Sequence, residues 1–306
     1  MPPRCFQVII IEDDPYANDL MMMLLARDYR THVVAELSNQ VDLRLLDYLG
    51  KISAQDASKN RNRSFDLRID SGGCTDVVIL DTEVPWAADL PLEILEKLSA
   101  WENPPKVLCT CTYPNIEFIE KVLGYKCFSG YLIKGEALYA MASAVCLVAN
   151  EYCVITPEVR SMLEKEVGRG KFPEKTLVLS SPDTKKLEKG FSQRERKIFR
   201  LGLFFNLPQS DICDELIVSE TLVSKTMTKG YAILQIPDII SGNISLEKAF
   251  NNNYIDNRKI IDRYKNVISG LPDQMDRKLT DKSPKFKGEG TLAFHLLTRP
   301  YIEEWN

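Results

Sequence analysis

The sequence predicts two folds in one chain: a doubly wound parallel α/β sheet in the first half and an all-α arrangement in the second. Short β-branched runs alternate with amphipathic helical segments up to about residue 150. Runs such as Val8–Ile11 and Val77–Leu80 are apolar at every position, as in strands buried on both faces of a parallel sheet. Beyond residue 190 the pattern is helical, in short segments with a capping residue at their start.

Val8–Ile11 reads as the first strand and stops at Glu12-Asp13-Asp14. Pro15 opens a helix whose apolar face carries Leu20, Met21, Met23 and Leu24. His32–Leu37 is the second strand, and Leu43–Leu49 an amphipathic helix. A polar insertion follows over about 50–74, holding one short strand-like run at Phe65–Ile69. Asp76–Leu80 is the third strand, ending at Asp81, and Leu90–Trp101 is helical. Lys106–Cys111 is the fourth strand, Ile116–Leu123 a helix, Gly130–Ile133 the fifth strand ending at Lys134, and Glu136–Asn150 a final helix. Five strands alternating with helices fit a flavodoxin-like sheet, whose ligand site lies beyond the carboxyl ends of the strands. The remaining divisions are a partly helical linker over 151–190 with a helix near Pro157–Val167, a helical segment over 191–234, and an extension over 235–306. In that extension a helix is expected over Asn257–Ile268, with Tyr254, Ile260, Ile261, Tyr264 and Ile268 as a possible apolar face.

Composition narrows the function classes. With 44% hydrophobic and 27% charged residues the chain has the make-up of a soluble protein. No apolar stretch approaches the ~20 residues needed to span a bilayer, and Met1–Cys5 leads into no signal-peptide core, so a cytoplasmic location without membrane contact is expected. Eight cysteines without a C-x-x-C pair, and two distant histidines, His32 and His295, argue against a zinc finger. Cys109 and Cys111 share a strand face and read as small buried hydrophobes. A net charge of −4 excludes a uniformly basic nucleic-acid coat, though not one DNA-binding module.

The placement of polar residues at strand ends is the informative signal. Glu12 and Asp13 follow the first strand, Asp81 the third, Thr112 the fourth and Lys134 the fifth, and a parallel sheet brings all of these to one edge. Three carboxylates in one crevice repel unless a hard divalent cation joins them, and few protein ligands suit Mg²⁺. One carboxylate can then attack a phosphoryl group, while the ammonium and a hydroxyl stabilise the transferred oxygens. No nucleophile–histidine pair is apparent, so a hydrolytic enzyme is not expected.

Ile9–Pro15, Asp76–Asp81 followed by Pro85, the strand-end threonine and Gly130–Lys134 together resemble the receiver domain of two-component response regulators over residues 1–150. That resemblance implies that Glu12 and Asp13 bind Mg²⁺ together with the phosphoacceptor Asp81. It makes Thr112 the switch hydroxyl, preferred to Thr110 on the same face by its spacing to Lys134, and Tyr131 the aromatic switch. Two positions depart from the family pattern: the 50–74 insertion lengthens the stretch between Asp13 and Asp81, and Gly135 replaces the usual proline after Lys134.

Phe191–Leu201 resembles the opening of a LuxR-type (NarL/FixJ class) output domain, with Ser192 and Glu195 forming a capping box. Ser210–Leu216 corresponds to the support helix, and Val218–Thr226 to the turn and start of a recognition helix that runs to about Leu234. Asn206 stands at a position between helices that tolerates the left-handed conformation. The resemblance implies double-stranded DNA contacts from Thr221, Ser224, Lys225, Thr228 and Lys229, with Arg194 and Arg196 as possible backbone contacts. Six basic residues (Arg194, Arg196, Lys197, Arg200, Lys225, Lys229) against five acidic ones give 191–234 a net charge of only +1.

The expected function is a phosphorylation-dependent transcription regulator. A sensor histidine kinase phosphorylates it, and a change near the fourth and fifth strands promotes homodimerisation or releases the helix-turn-helix. The alternatives are an adaptor that binds proteins only and a regulator that works without phosphorylation.

Overall fold

The computed structural model describes residues 5–37, 75–84, 88–166, 172–181, 189–250, 261–262, 264–265 and 287–305. The expected helix Leu43–Leu49, the 50–74 insertion with its run at Phe65–Ile69, and Pro85 lie outside them. The chain forms two compact units: Met1–Ser181 together with Pro300–Asn306, and Pro182–Arg299. Among the described residues no helix is long and apolar enough to cross a membrane.

The first unit is built on strands β1 (Phe6–Ile11), β2 (Thr31–Leu37), β3 (Val77–Asp81), β4 (Lys106–Cys111), β5 (Phe128–Ile133), β6 (Cys153–Ile155), β7 (Thr176–Ser180) and β8 (Tyr301–Glu304). They lie in the order β2-β1-β3-β4-β5-β6-β7-β8. Every pairing is parallel except β7 with β8, which is antiparallel. The first five strands have the flavodoxin-like 2-1-3-4-5 order expected of the sequence.

Helix α1 (Pro15–Arg27) starts where Asp14 caps the Tyr16 amide and Pro15 occupies the first turn. It packs with α5 (Met141–Ala149) on one face of the sheet, where α5 meets β1, β3 and β4. On the other face lie α2 (Leu90–Ser99), α3 (Ile116–Val122) and α6 (Pro157–Glu166). Their Leu95, Ile119 and Leu163 share a core with Ile9, Leu80, Cys109, Cys111, Tyr131 and Val178. A short helical turn, α4 (Lys134–Ala137), leaves the end of β5 directly. Cys109 and Cys111 are fully buried, and burial pushes the Cys111 thiol up to about 12, in keeping with a packing role.

The linker expected over 151–190 needs correction. It does contain a helix, α6, but β6 and β7 flank that helix and extend the sheet past β5. Cys153-Val154-Ile155 and Leu177–Leu179 are buried, apolar and short, and they pair with strands already in place. Gly130 permits the first of these pairings, because a Cβ there would run into the Val154 carbonyl. The 235–306 extension is likewise not one body. Tyr301–Glu304 returns to the first sheet as β8, so the second unit is an insertion between β7 and β8.

The second unit opens with α7 (Gln193–Leu203), capped by the expected Ser192–Glu195 box. It continues through α8 (Gln209–Leu216) and α9 (Glu220–Ile233), and the three helices enclose Ile198, Ile212 and Val223. Asn206 takes a positive φ of 52°, and so does Ile217, at 50°, in the turn between α8 and α9. Short helices α10 (Ile236–Ile240) and α11 (Leu246–Ala249) follow, then α12 (Lys287–Leu297), which packs against α7 and α10. Of the apolar helix face expected over Asn257–Ile268, Ile261 and Tyr264 are buried, while Tyr254, Ile260 and Ile268 lie outside the described residues.

Candidate functional site

The carboxyl ends of β1, β3 and β5 bring Glu12, Asp13, Asp81 and Lys134 together. Lys134 Nζ lies 2.8 Å from Glu12 Oε2 and 3.0 Å from Asp81 Oδ2. Glu12 and Asp81 are buried, at 1% and 2% exposed, so one ammonium serves two desolvated carboxylates. Glu12 Oε1 accepts from Lys134 Nζ at 3.0 Å and from the Asp14 amide at 3.2 Å. Glu12 Oε2 is buried as well, and Lys134 Nζ is the cation beside it. One oxygen from each of Glu12, Asp13 and Asp81 falls within 4.8 Å of the others. Three hard carboxylate donors this close together, with one ammonium between two of them, fit a small divalent cation.

The electrostatics reflect the crowding. Burial first, and then Glu12, push Asp81 up to about 6, with Lys134 pulling the other way. Asp13 is raised by burial and by its hydrogen bond to, and repulsion from, Asp81. For Lys134, burial opposes the charged form, but hydrogen bonding to Glu12 and the charge of Asp81 outweigh it and the ammonium is held more firmly than usual.

Tyr131 is turned inward and fully buried, with its ring 6.0 Å from that of Phe118. Its hydroxyl lies 3.2 Å from Thr82 Oγ1, which donates to the Thr110 carbonyl at 3.1 Å. The Thr82 proton is thus committed, and the Tyr131 hydroxyl is left to donate. Thr110 sits in register with Asp81, buried, with its hydroxyl 3.4 Å from the Leu80 carbonyl. Thr112 is exposed just past β4, and its amide, rather than its hydroxyl, is held by the Glu83 carboxylate. Glu83 also accepts from the Tyr113 amide at 2.9 Å. Thr82 and Glu83 were not singled out from the sequence. Their position directly after Asp81 was the available signal.

In the second unit, Thr221, Ser224, Lys225 and Thr228 are exposed on α9. The other three expected DNA contacts have internal partners. Arg194 Nη2 donates to the Leu216 and Ile217 carbonyls at 3.0 and 2.7 Å, closing the end of α8. Arg196 Nε donates to the Phe191 carbonyl at 3.2 Å. Lys229 Nζ pairs with Glu195 at 3.0 Å and stands 4.8 Å from the centre of the Phe191 ring. Arg194 and Arg196 are exposed despite these bonds, and Lys225 is the exposed basic residue among the expected contacts for which the described residues show no internal hydrogen bond or ion pair.

No protein-family model and no curated protein matches the sequence. Among solved structures, the chain is similar to the Salmonella typhimurium RcsB response regulator, at 16% identity and a TM-score of 0.40, over 76% of this chain and 93% of that one. Two RcsB dimers bound to two parallel DNAs match at 17% identity and a TM-score of 0.41, over 74% and 93%. The response regulator ChrA of a heme-sensing two-component system matches at 21% identity and a TM-score of 0.34, over 76% and 90%.

Proposed function

We propose that the chain is a phosphorylation-switched, DNA-binding response regulator acting in the cytoplasm, a switch rather than a turnover enzyme. The convergence of Glu12, Asp13, Asp81 and Lys134 at one sheet edge carries this reading. An Asp81 carboxylate oxygen attacks phosphorus, a P–O bond forms, and the bond to the donor breaks, the donor being a phosphohistidine of a sensor kinase or a small acyl phosphate. Lys134 Nζ, already beside Asp81, is placed to hold an oxygen of the new phosphoryl group. Glu12, Asp13 and Asp81 would hold Mg²⁺, which supplies positive charge against the incoming phosphoryl oxygens. On the second unit, the exposed face of α9 is the DNA-reading surface, with Thr221, Ser224, Lys225 and Thr228 toward the bases.

Incubation with Mg²⁺ and acetyl phosphate, followed by intact mass, tests the chemistry. A phosphoryl-sized gain in wild type and none in Asp81→Asn supports it, and no gain in folded wild type removes it. A second reading, an adaptor that contacts proteins only, is favoured by one observation: Arg194, Arg196 and Lys229 are tied within the fold. Retention on nonspecific duplex DNA that weakens as salt rises excludes the adaptor, because phosphate contacts release counterions.

A further inference from the structure

We infer that the β7–β8 pair is a clamp on both ends of the inserted second unit, and that the Lys134 turn sets how firmly it closes. The natural trigger, phosphorylation of Asp81, rests on the function proposed above, whereas the wiring stands on geometry within the first unit.

Lys134 pairs with Glu12 and Asp81 and is also the first residue of α4. Two residues on, the Glu136 carbonyl accepts from the Ser181 amide at 3.1 Å. Ser181 directly follows β7 and is the last residue before the inserted unit. One residue before Lys134, the Ile133 amide donates to the buried Thr156 hydroxyl at 3.2 Å, at the junction of β6 and α6. The turn that carries the pocket lysine thus touches the exit of β7 through backbone rather than through adaptable side chains.

The return connection meets the same point. Ser180 pairs with Tyr301, so the chain leaves and re-enters the first unit on adjacent residues of one ladder. The far end of β8 is firmly seated. Trp305 is 2% exposed, its ring lies 5.3 Å from Phe172, its indole N–H donates to Glu164 at 3.2 Å, and its amide donates to the Thr176 carbonyl at 3.1 Å. The near end has Tyr301 at 58% exposed and the Ser181–Glu136 hydrogen bond beside it. Fraying therefore starts at Ser180 and Tyr301, where both tethers join. The placement also changes how a signal can leave the pocket. A change near β4 and β5 was expected to promote pairing of two chains, but β5 is not a sheet edge here, since β6, β7 and β8 follow it. The route open beside Lys134 runs to the tethers.

Amide hydrogen exchange on the full chain tests this. Lys134→Met, which removes the ion pairs, should speed exchange in peptides covering 177–181 and 300–304 by roughly fivefold or more, the scale of an ordinary coupling between sites. The peptide over β2 should stay unchanged. Equal exchange at 177–181 and 300–304 in variant and wild type overturns the clamp. Coupling is reciprocal, so Ser181→Pro, which deletes the donor from outside the pocket, should speed exchange at 133–136 and 12–14. Ser181→Ala keeps the amide and should not, and identical behaviour of the two variants also overturns the wiring. Acetyl phosphate with Mg²⁺ then separates trigger from wiring. A phosphoryl mass gain with unchanged tether exchange refutes phosphorylation as the trigger of the clamp, and the Lys134→Met result decides the wiring. Absence of the gain refutes the phosphoacceptor reading, while the Lys134→Met result still decides the clamp.

Discussion

Asp81→Asn isolates the electrostatics of the pocket from the phosphoacceptor role proposed for it. In the native chain Asp81 is held up to about 6, against an ordinary 3.8. The folded state therefore binds its proton more tightly than the unfolded state. Stability falls as pH rises through that window, and the deficit persists above it. A displacement of that size corresponds to roughly 3 kcal/mol. Solvent at the rim, where the Lys134 side chain is 18% exposed, screens the pocket and reduces the figure to about 2 kcal/mol. Asparagine keeps the shape without the charge. In EDTA near pH 7.5 the variant should thus be the more stable by about 2 kcal/mol, a rise of roughly 4–8 °C in the melting temperature of the first unit. Below about pH 4 both side chains are neutral and the gap should close. Mg²⁺ should reverse the order by stabilising wild type alone. Urea unfolding followed by circular dichroism at both pH values, with and without Mg²⁺, measures this. A variant no more stable than wild type in EDTA at neutral pH, or a gap that ignores pH, would refute the electrostatic account.

Further expectations concern packing and recognition. Ile217 is β-branched, left-handed and 85% exposed, so it supports little packing while straining the backbone. Ile217→Asn should stabilise the second unit by about 1 kcal/mol, read from its denaturant midpoint. Gly230 lies against the Phe199 ring with no room for a Cβ, so Gly230→Ala should cost about 2 kcal/mol and part α7 from α9, visible as exposure of a buried aromatic surface to a hydrophobic dye. Trp305→Ala should cost the first unit about 3 kcal/mol in urea unfolding, through lost burial, ring contact and the Glu164 hydrogen bond. Lys225→Ala should weaken DNA binding and lower the dependence of affinity on salt by about one charge, whereas Lys229→Ala should act mainly on stability.

The pocket was legible because its residues sit at the ends of strongly patterned strands. Once Val8–Ile11 and Val77–Leu80 are read as parallel and buried, Glu12, Asp13, Asp81 and Lys134 have one place to meet. The α7 capping box was equally local, since Ser192 and Glu195 lie three residues apart. Non-local features were hidden. β6 has three residues, too few to show a period, and β8 is stabilised by β7 and by Phe172, neither of which is near it in sequence. Side-chain commitments were hidden for the same reason. Arg194 closes α8 from more than 20 residues away, and a list of basic residues cannot separate it from Lys225. Choosing between Thr110 and Thr112 required knowing where β4 stops, and strand ends are the part of an element that patterning defines least.

Placing β8 after the second unit has a consequence for synthesis. A ribosome delivers β7 and then roughly 120 further residues before its antiparallel partner exists. At translation rates of ~5–20 residues per second, that delay lasts about 6–24 s. Throughout it the backbone donors and acceptors along one side of Thr176–Ser180 face no strand, and Phe172 lacks its indole neighbour. An uncovered edge of that kind is where another nascent chain can pair. The helices made during the wait, α7 to α12, thus act as a timer on the first unit, whose sheet closes only once they have been made.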